Sequence, residues 1–137
     1  VDVKCFTSNG VVKSNGHLVM GAGTARIVKD MYPYLPSLLG SDIMANYKKT
    51  NGVYSYGFIF NSEYRIGALQ TKYHFKDNSS VEIIKFALSK LTIFANANRS
   101  KLIGIVYPGI GLGNLRIADV EYLLEGLPAN VLIFKLK

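Results

Sequence analysis

The chain has 137 residues, 49% hydrophobic and 18% charged, with 16 Lys/Arg against 9 Asp/Glu for a formal net charge of +7. The length suits a single domain over 1–137 with a core of its own, and the composition excludes a disordered chain. The lone cysteine, Cys5, excludes an internal disulfide and a cysteine metal cluster.

Taken in order, the segments alternate between strand and helix patterns. Residues 5–7 belong to a short strand that stops at Ser8-Asn9-Gly10, and 11–16 form a loop. Met20-Gly21-Ala22-Gly23 leads into a helix over 24–31, where Ala25, Val28 and Met31 recur at helical spacing. Pro33 ends it, because the residue before a proline is disfavoured in helix. A second helix follows Pro36, with Leu38, Leu39, Ile43 and Tyr47 on its apolar side. Residues 54–60 and 64–69 are rich in aromatic and β-branched side chains and read as two strands joined by a turn at Asn61-Ser62.

Residues 71–78 form a polar loop in which Asp77 and Asn78 suit turn and cap positions. Ser79 and Glu82 then have capping-box spacing at the start of a long helix over 79–98, with Val81, Ile84, Leu88, Leu91 and Ala95 as its buried stripe. Residues 102–107 are an apolar run of strand length, as a buried central strand would be. A glycine-rich loop over 108–115 precedes a short helix over 117–124, stopped by Gly126 and Pro128. Residues 131–136 form the last strand. The order β-α-α-β-β-α-β-α-β predicts an α/β fold, a three-layer α/β/α sandwich with a mixed central sheet.

Both glycine loops follow a strand and precede a helix. Ligands of open α/β sheets bind at the carboxyl ends of the strands, and a helix N-terminus offers unpaired N–H groups to phosphate. The first loop carries Gly21 and Gly23. The second carries Gly109, Gly111 and Gly113. Neither continues into Gly-Lys-Ser/Thr, and neither completes a Gly-x-Gly-x-x-Gly fingerprint with a ribose-binding acid. A nucleotide-type diphosphate fits two such loops better than either signature fits one. The net positive charge agrees with an anionic ligand, but the basic residues are scattered rather than clustered as in a dedicated nucleic-acid binder.

These residues resemble the macrodomain family, whose members bind ADP-ribose. Asn9, followed by Val19-Met20-Gly21-Ala22-Gly23-Thr24-Ala25, is similar to the family's asparagine and Gly-x-Gly-x-Ala helix start. Pro108-Gly109-Ile110-Gly111-Leu112-Gly113-Asn114-Leu115 is similar to its Pro-Gly-x-Gly-x-Gly-Gly-Leu phosphate loop, with Asn114 in place of the last glycine. Leu69-Gln70-Thr71-Lys72-x-His74-Phe75 resembles a Phe-Pro-Thr-Lys-x-x-Trp segment. That segment occurs in macrodomain antitoxins that reverse ADP-ribosylation of DNA and in related phage and bacterial proteins. Terminal ADP-ribose glycohydrolase carries a comparable lysine. Gln70 and Phe75 depart from the segment. The family's usual N-terminal strand, with an Asp that reads the adenine amino group, has no counterpart, since Asp2 matches another position. The acid that the terminal glycohydrolase places in its second loop is also missing, which makes the DNA-directed antitoxins the nearer model.

The resemblance implies ADP-ribose binding and hydrolysis of an ADP-ribosyl linkage. The alternatives are a non-catalytic ADP-ribose reader, an ADP-ribose 1″-phosphate phosphatase, and a nucleic-acid-binding domain with no ADP-ribose site. It implies that Lys72 acts at the anomeric carbon of the distal ribose, with Asn9 bonding the ribose hydroxyls. By itself Lys72 is one solvated lysine among sixteen basic residues. His74, two residues on, would share its direction in an extended segment and shuttle protons. Gly21, Ala22, Gly23 and Thr24 would seat the distal ribose, and 108–115 would wrap the diphosphate. Tyr107 and Phe134 lie near the expected adenine edge, although core packing is the commoner fate of such residues. Cys5 is expected buried and inert, and His17 on the surface. Two distant histidines without an acidic cluster imply no metal, and no cofactor is implied. The partner is ADP-ribose or an ADP-ribosylated macromolecule, nucleic acid included. No membrane span is expected, and the setting is cytoplasmic, a host's cytoplasm for a phage-encoded chain.

Overall fold

The computed structural model describes residues 1–110 and 113–134. The elements run β1 (Val3–Ser8), α1 (Gly23–Met31), α2 (Leu35–Asn46), β2 (Lys49–Thr50), β3 (Val53–Tyr54), β4 (Phe58–Asn61), β5 (Ile66–Gln70), α3 (Val81–Ala97), β6 (Ile103–Val106), α4 (Ile117–Leu124) and β7 (Val131–Phe134). Five strands form one sheet in the order β4-β5-β1-β6-β7. Four of them run parallel, and β4 is antiparallel on one edge. The expected three-layer α/β/α sandwich with a mixed sheet is the observed architecture.

The two-residue period of the strands sorts their side chains between two cores. Val3 and Cys5 face one side of the sheet with Phe58, Leu69, Ile103 and Ile105, where α3 and α4 bring Ile84, Leu88, Leu91, Val120 and Leu124. Phe6 faces the other side with Ile59, Ile66 and Ala68, where α1 and α2 bring Ala25, Leu35, Leu39 and Ile43. β5 is buried at every position, as a strand covered on both faces must be. The parallel strands place Ser8, Gln70 and Val106 at one edge of the sheet, and β1 lies between β5 and β6.

Four local expectations are corrected. The strand expected over 54–60 is two strands, because Gly57 turns the chain at φ +72°. Before it, β3 pairs with β2 in a separate ribbon; after it, β4 joins the main sheet. The cap of α3 is Ser80 rather than Ser79: the Ser80 Oγ accepts the Ile83 N–H at 3.4 Å and donates to Glu82 Oε2 at 3.0 Å. Its own backbone N–H, and after it the Ser80 hydroxyl, hold the Glu82 carboxyl below the usual carboxylate range. The α3 stripe includes Ile83 and Ala87, with Val81 half-buried at the rim. On α1 only Ala25 is buried, and Met31 is exposed. Residues 135 and 136 of the expected last strand lie outside the described residues. Among the described residues, no helix is long and apolar enough to cross a membrane.

Candidate functional site

A cleft of about 680 Å³ opens at the carboxyl ends of β1, β5 and β6. Its floor is Thr7, Ser8 and Asn9, one wall is 21–25, the other is Gly109, Ile110 and Gly113, and Thr71, Lys72 and Phe75 close one end. The two glycine loops, far apart in sequence, therefore face each other across the end of the central strand.

The first wall is the start of α1. Its N-cap is Ala22, which offers no side-chain oxygen, and the first turn contains no acid. The free N–H groups and partial positive charge of the helix end are thus left for a ligand. Gly23 takes φ +60° to enter the helix. A Cβ at Gly21 would meet nothing within 4 Å, so this glycine borders open space. Thr24 ties the helix to the floor: its Oγ1 accepts the Thr7 N–H at 3.4 Å and lies 3.3 Å from Thr7 Oγ1.

The second wall is a tight loop seated on Ser79. Gly109 sits at φ +82° and Asn114 at φ +63°. The Leu115 N–H donates to the Gly109 carbonyl at 2.9 Å, and the Ser79 N–H donates to the Gly113 carbonyl at 2.9 Å. A Cβ on Gly109 would fall 2.8 Å from both Ile84 Cδ1 and Leu115 Cδ1. Glycine is needed here for both the backbone angle and the space.

Asn9 is buried in the floor with both ends of its amide in use. Its Nδ2 donates to the Val19 carbonyl at 3.0 Å and its Oδ1 accepts the Val11 N–H at 2.9 Å. One Nδ2 hydrogen and one Oδ1 lone pair remain. Tyr56 lies beneath it, donating to the Asn9 carbonyl at 2.7 Å. Full burial raises the Tyr56 phenol well above its ordinary range, so it stays a neutral donor.

Lys72 is half-buried at the end of the cleft, and no described residue bonds its amine. It is the one charged side chain among the described residues that line the cleft, and none of those residues is an acid or a histidine. The extended path expected for 72–75 does not form. The chain turns, with the Asp77 N–H on the His74 carbonyl at 3.0 Å and the Lys76 N–H on His74 Nδ1 at 3.1 Å. His74 stacks on Phe75 and is not part of the lining.

Of the other expected ligand residues, Pro108, Asn114 and Leu115 shape the second loop without lining the cleft. Leu115 packs into the core under α3, and Asn114 Nδ2 donates to Asn78 Oδ1 at 2.7 Å. Tyr107 lines the cleft, and Phe134 does not. Gly111 and Leu112 lie outside the described residues. His17 is half-buried away from the cleft. Ser79, read from sequence as a cap, and Thr71 and Phe75 are among the lining residues not expected as ligand contacts, as are Thr7, Ser8 and Val19. Among the described residues, no group of three or more His, Cys, Asp or Glu side chains could hold a metal.

No protein-family model and no curated protein matches the chain. Solved structures do. The macrodomain of Mycobacterium tuberculosis DarG matches with TM-score 0.74 at 21% identity, over 99% of this chain and 90% of that one. The macrodomain of Thermus aquaticus DarG matches with TM-score 0.71 at 21% identity, over 100% and 89%. A structure of Thermosipho africanus DarTG in complex with ADP-ribose matches with TM-score 0.68 at 19% identity; it covers 98% of this chain, which spans only 38% of that one. These likenesses run over nearly the whole of this chain, and the five-stranded mixed sheet between helices agrees with them: the chain has the macrodomain fold.

Proposed function

We propose that the cleft binds ADP-ribose and that Lys72 takes part in hydrolysing an ADP-ribosyl linkage. The observation that carries the reading is the opposition of two phosphate-suited walls, an uncapped helix N-terminus and a glycine-tight loop, with a lysine amine that no described residue bonds between their ends. The diphosphate lies along the second wall. The distal ribose sits against Gly21, Ala22 and Gly23, with its anomeric carbon toward Lys72. The ADP-ribose complex of a protein that shares the fold supports this choice of ligand.

The amine has two routes. Deprotonated, it attacks the anomeric carbon; a C–N bond forms as the bond to the target breaks, the electron pair leaves with the target and takes up the proton the amine loses, and the adduct opens to a lysine imine that water hydrolyses to ADP-ribose and the free amine. Protonated, it stabilises the negative charge that gathers on the departing atom while water attacks the anomeric carbon and its proton passes to the leaving target. A lysine adduct trapped by borohydride identifies the first route. On either route, Lys72→Ala lowers release of ADP-ribose from a mono-ADP-ribosylated target by about a hundredfold. Binding of free ADP-ribose stays within about threefold. Release at the wild-type rate would refute the catalytic role.

The second reading is a reader that binds ADP-ribose and leaves the linkage intact. It is favoured by the lack of any acid or histidine among the described lining residues. Binding of free ADP-ribose with no release from modified protein, DNA or RNA would decide for it.

A further inference from the structure

Gln70 ends β5 and is completely buried. Its side-chain amide uses its full hydrogen-bonding capacity, two acceptor sites and two donors. Oε1 accepts the Tyr56 N–H at 2.9 Å and the Gly57 N–H at 3.0 Å. Nε2 donates to the Tyr54 carbonyl at 2.8 Å and to the Lys72 carbonyl at 3.1 Å. One side chain therefore stands in for a strand partner across the break between β3 and β4, and also reaches the backbone of the residue placed at the end of the cleft.

The neighbours of Lys72 are anchored separately. The Thr71 N–H donates to the Ser8 carbonyl at 3.0 Å, the Thr71 carbonyl accepts the Ser80 N–H at 2.9 Å, and the Tyr73 carbonyl accepts the Gly10 N–H at 2.6 Å. Among the described residues, the donor on the Lys72 carbonyl itself is Gln70 Nε2. Among the described residues the Lys72 amine has no partner, so the contacts that hold this residue act on its backbone, from which the side chain starts. Gln70 is in turn held rigidly by the Tyr54, Tyr56 and Gly57 backbone, and Gly10 packs so closely that a Cβ there would fall 2.8 Å from Nε2.

We infer that Gln70 is the positioning residue for Lys72: its buried amide clamps the Lys72 carbonyl and so aims the amine into the cleft. This rests on the role given to Lys72 above. Gln70 touches no ligand in this scheme, since it does not line the cleft. Its loss therefore acts on turnover and leaves binding in place.

The test uses Gln70→Glu, which keeps an acceptor for the Tyr56 and Gly57 N–H groups and leaves at most one O–H donor for the Tyr54 and Lys72 carbonyls that Nε2 serves together. Gln70→Met serves if that variant does not fold. In the ligand-free protein, the backbone order parameter of Lys72 is expected to fall from a rigid value near ~0.85 to below ~0.6, while Gly21 and Gly113 keep theirs. With a mono-ADP-ribosylated target, kcat is expected to fall by about tenfold, with ADP-ribose affinity within about threefold of wild type. In a Lys72→Ala background the Gln70 change is expected to alter kcat by less than about twofold, because the clamp then has nothing to aim.

An unchanged Lys72 order parameter overturns the clamp, whatever the wild type binds. Equal kcat losses with and without Lys72 overturn it as well, because a general structural role would act in both backgrounds. A loosened Lys72 in a protein whose wild type ignores ADP-ribose supports the clamp and sinks the ligand assignment instead.

Discussion

Ser79 and Gly113 form the seat of the second loop: the Ser79 N–H donates to the Gly113 carbonyl at 2.9 Å, and a Cβ built on Gly113 would fall 2.3 Å from Ser79 Oγ and 3.0 Å from Ser79 Cβ. The loop can lie this close to α3 only because residue 113 has no side chain. Gly113→Ala pushes the loop off its seat into the cleft and is expected to weaken ADP-ribose binding by about tenfold. Adding Ser79→Ala removes the nearest atom and is expected to restore part of the loss. Calorimetric titration of the single and double variants checks both steps. A Gly113→Ala protein that binds as wild type would show that this loop does not form a wall of the site.

Gly10 is more tightly enclosed. A Cβ there would fall 2.2 Å from the Tyr54 carbonyl oxygen, a backbone atom that also accepts the Gln70 amide. Gly10→Ala must displace the backbone behind the cleft floor and is expected to destabilise the fold by about 3 kcal/mol, the upper end for overpacking. Urea unfolding measures it. A loss below about 0.5 kcal/mol would contradict the close approach.

The start of α3 distinguishes two adjacent serines. Ser80 Oγ accepts the Ile83 N–H, while the Ser79 hydroxyl sits against Gly113. Ser80→Ala is expected to cost about 1 kcal/mol through loss of the cap. Ser79→Ala removes no cap bond, and its effect is expected mainly in ligand binding. Equal stability losses in the two variants, read from urea midpoints, would contradict that division.

Cys5 carries a pH signature. Burial, the largest effect, raises its thiol from 9.0 to about 12, against a smaller lowering by the Gly67 backbone. Between those values the unfolded chain releases a proton that the native chain keeps, so stability falls as pH rises through that window and is unaffected below it. Cys5→Ala removes this dependence. Its stability curve is expected to be shallower than that of wild type by up to one proton, as seen in urea midpoints from about pH 8 to about pH 11. Parallel curves would mean that Cys5 ionises freely in the folded protein.

The readable parts of the sequence are those written in local pattern. Glycine spacing marked both loops, the 3.6-residue stripe of Ile84, Leu88 and Leu91 marked α3, aromatic and β-branched side chains marked β5, and an apolar run marked β6. The misreadings come from side chains that satisfy backbone groups at a distance or within a turn. Nothing near Gln70 signals that its amide will serve Tyr54, Tyr56 and Gly57 and so split an apparent strand. His74 left its expected direction because local side-chain to backbone bonds, His74 N–H to Asp77 Oδ2 at 3.2 Å and Lys76 N–H to His74 Nδ1, compete with an extended path. Ser79 and Ser80 are interchangeable as caps by pattern, and only the tertiary contact with Gly113 separates them. Lys72 stood out through family resemblance rather than through any local signal.

Calorimetry with ADP-ribose beside ATP and NAD tests whether the cleft between the two glycine loops is an ADP-ribose site. Saturable one-site binding of ADP-ribose is expected, at least about tenfold tighter than either competitor, and weakened by Gly113→Ala. No binding, or equal binding of all three ligands, would contradict that assignment.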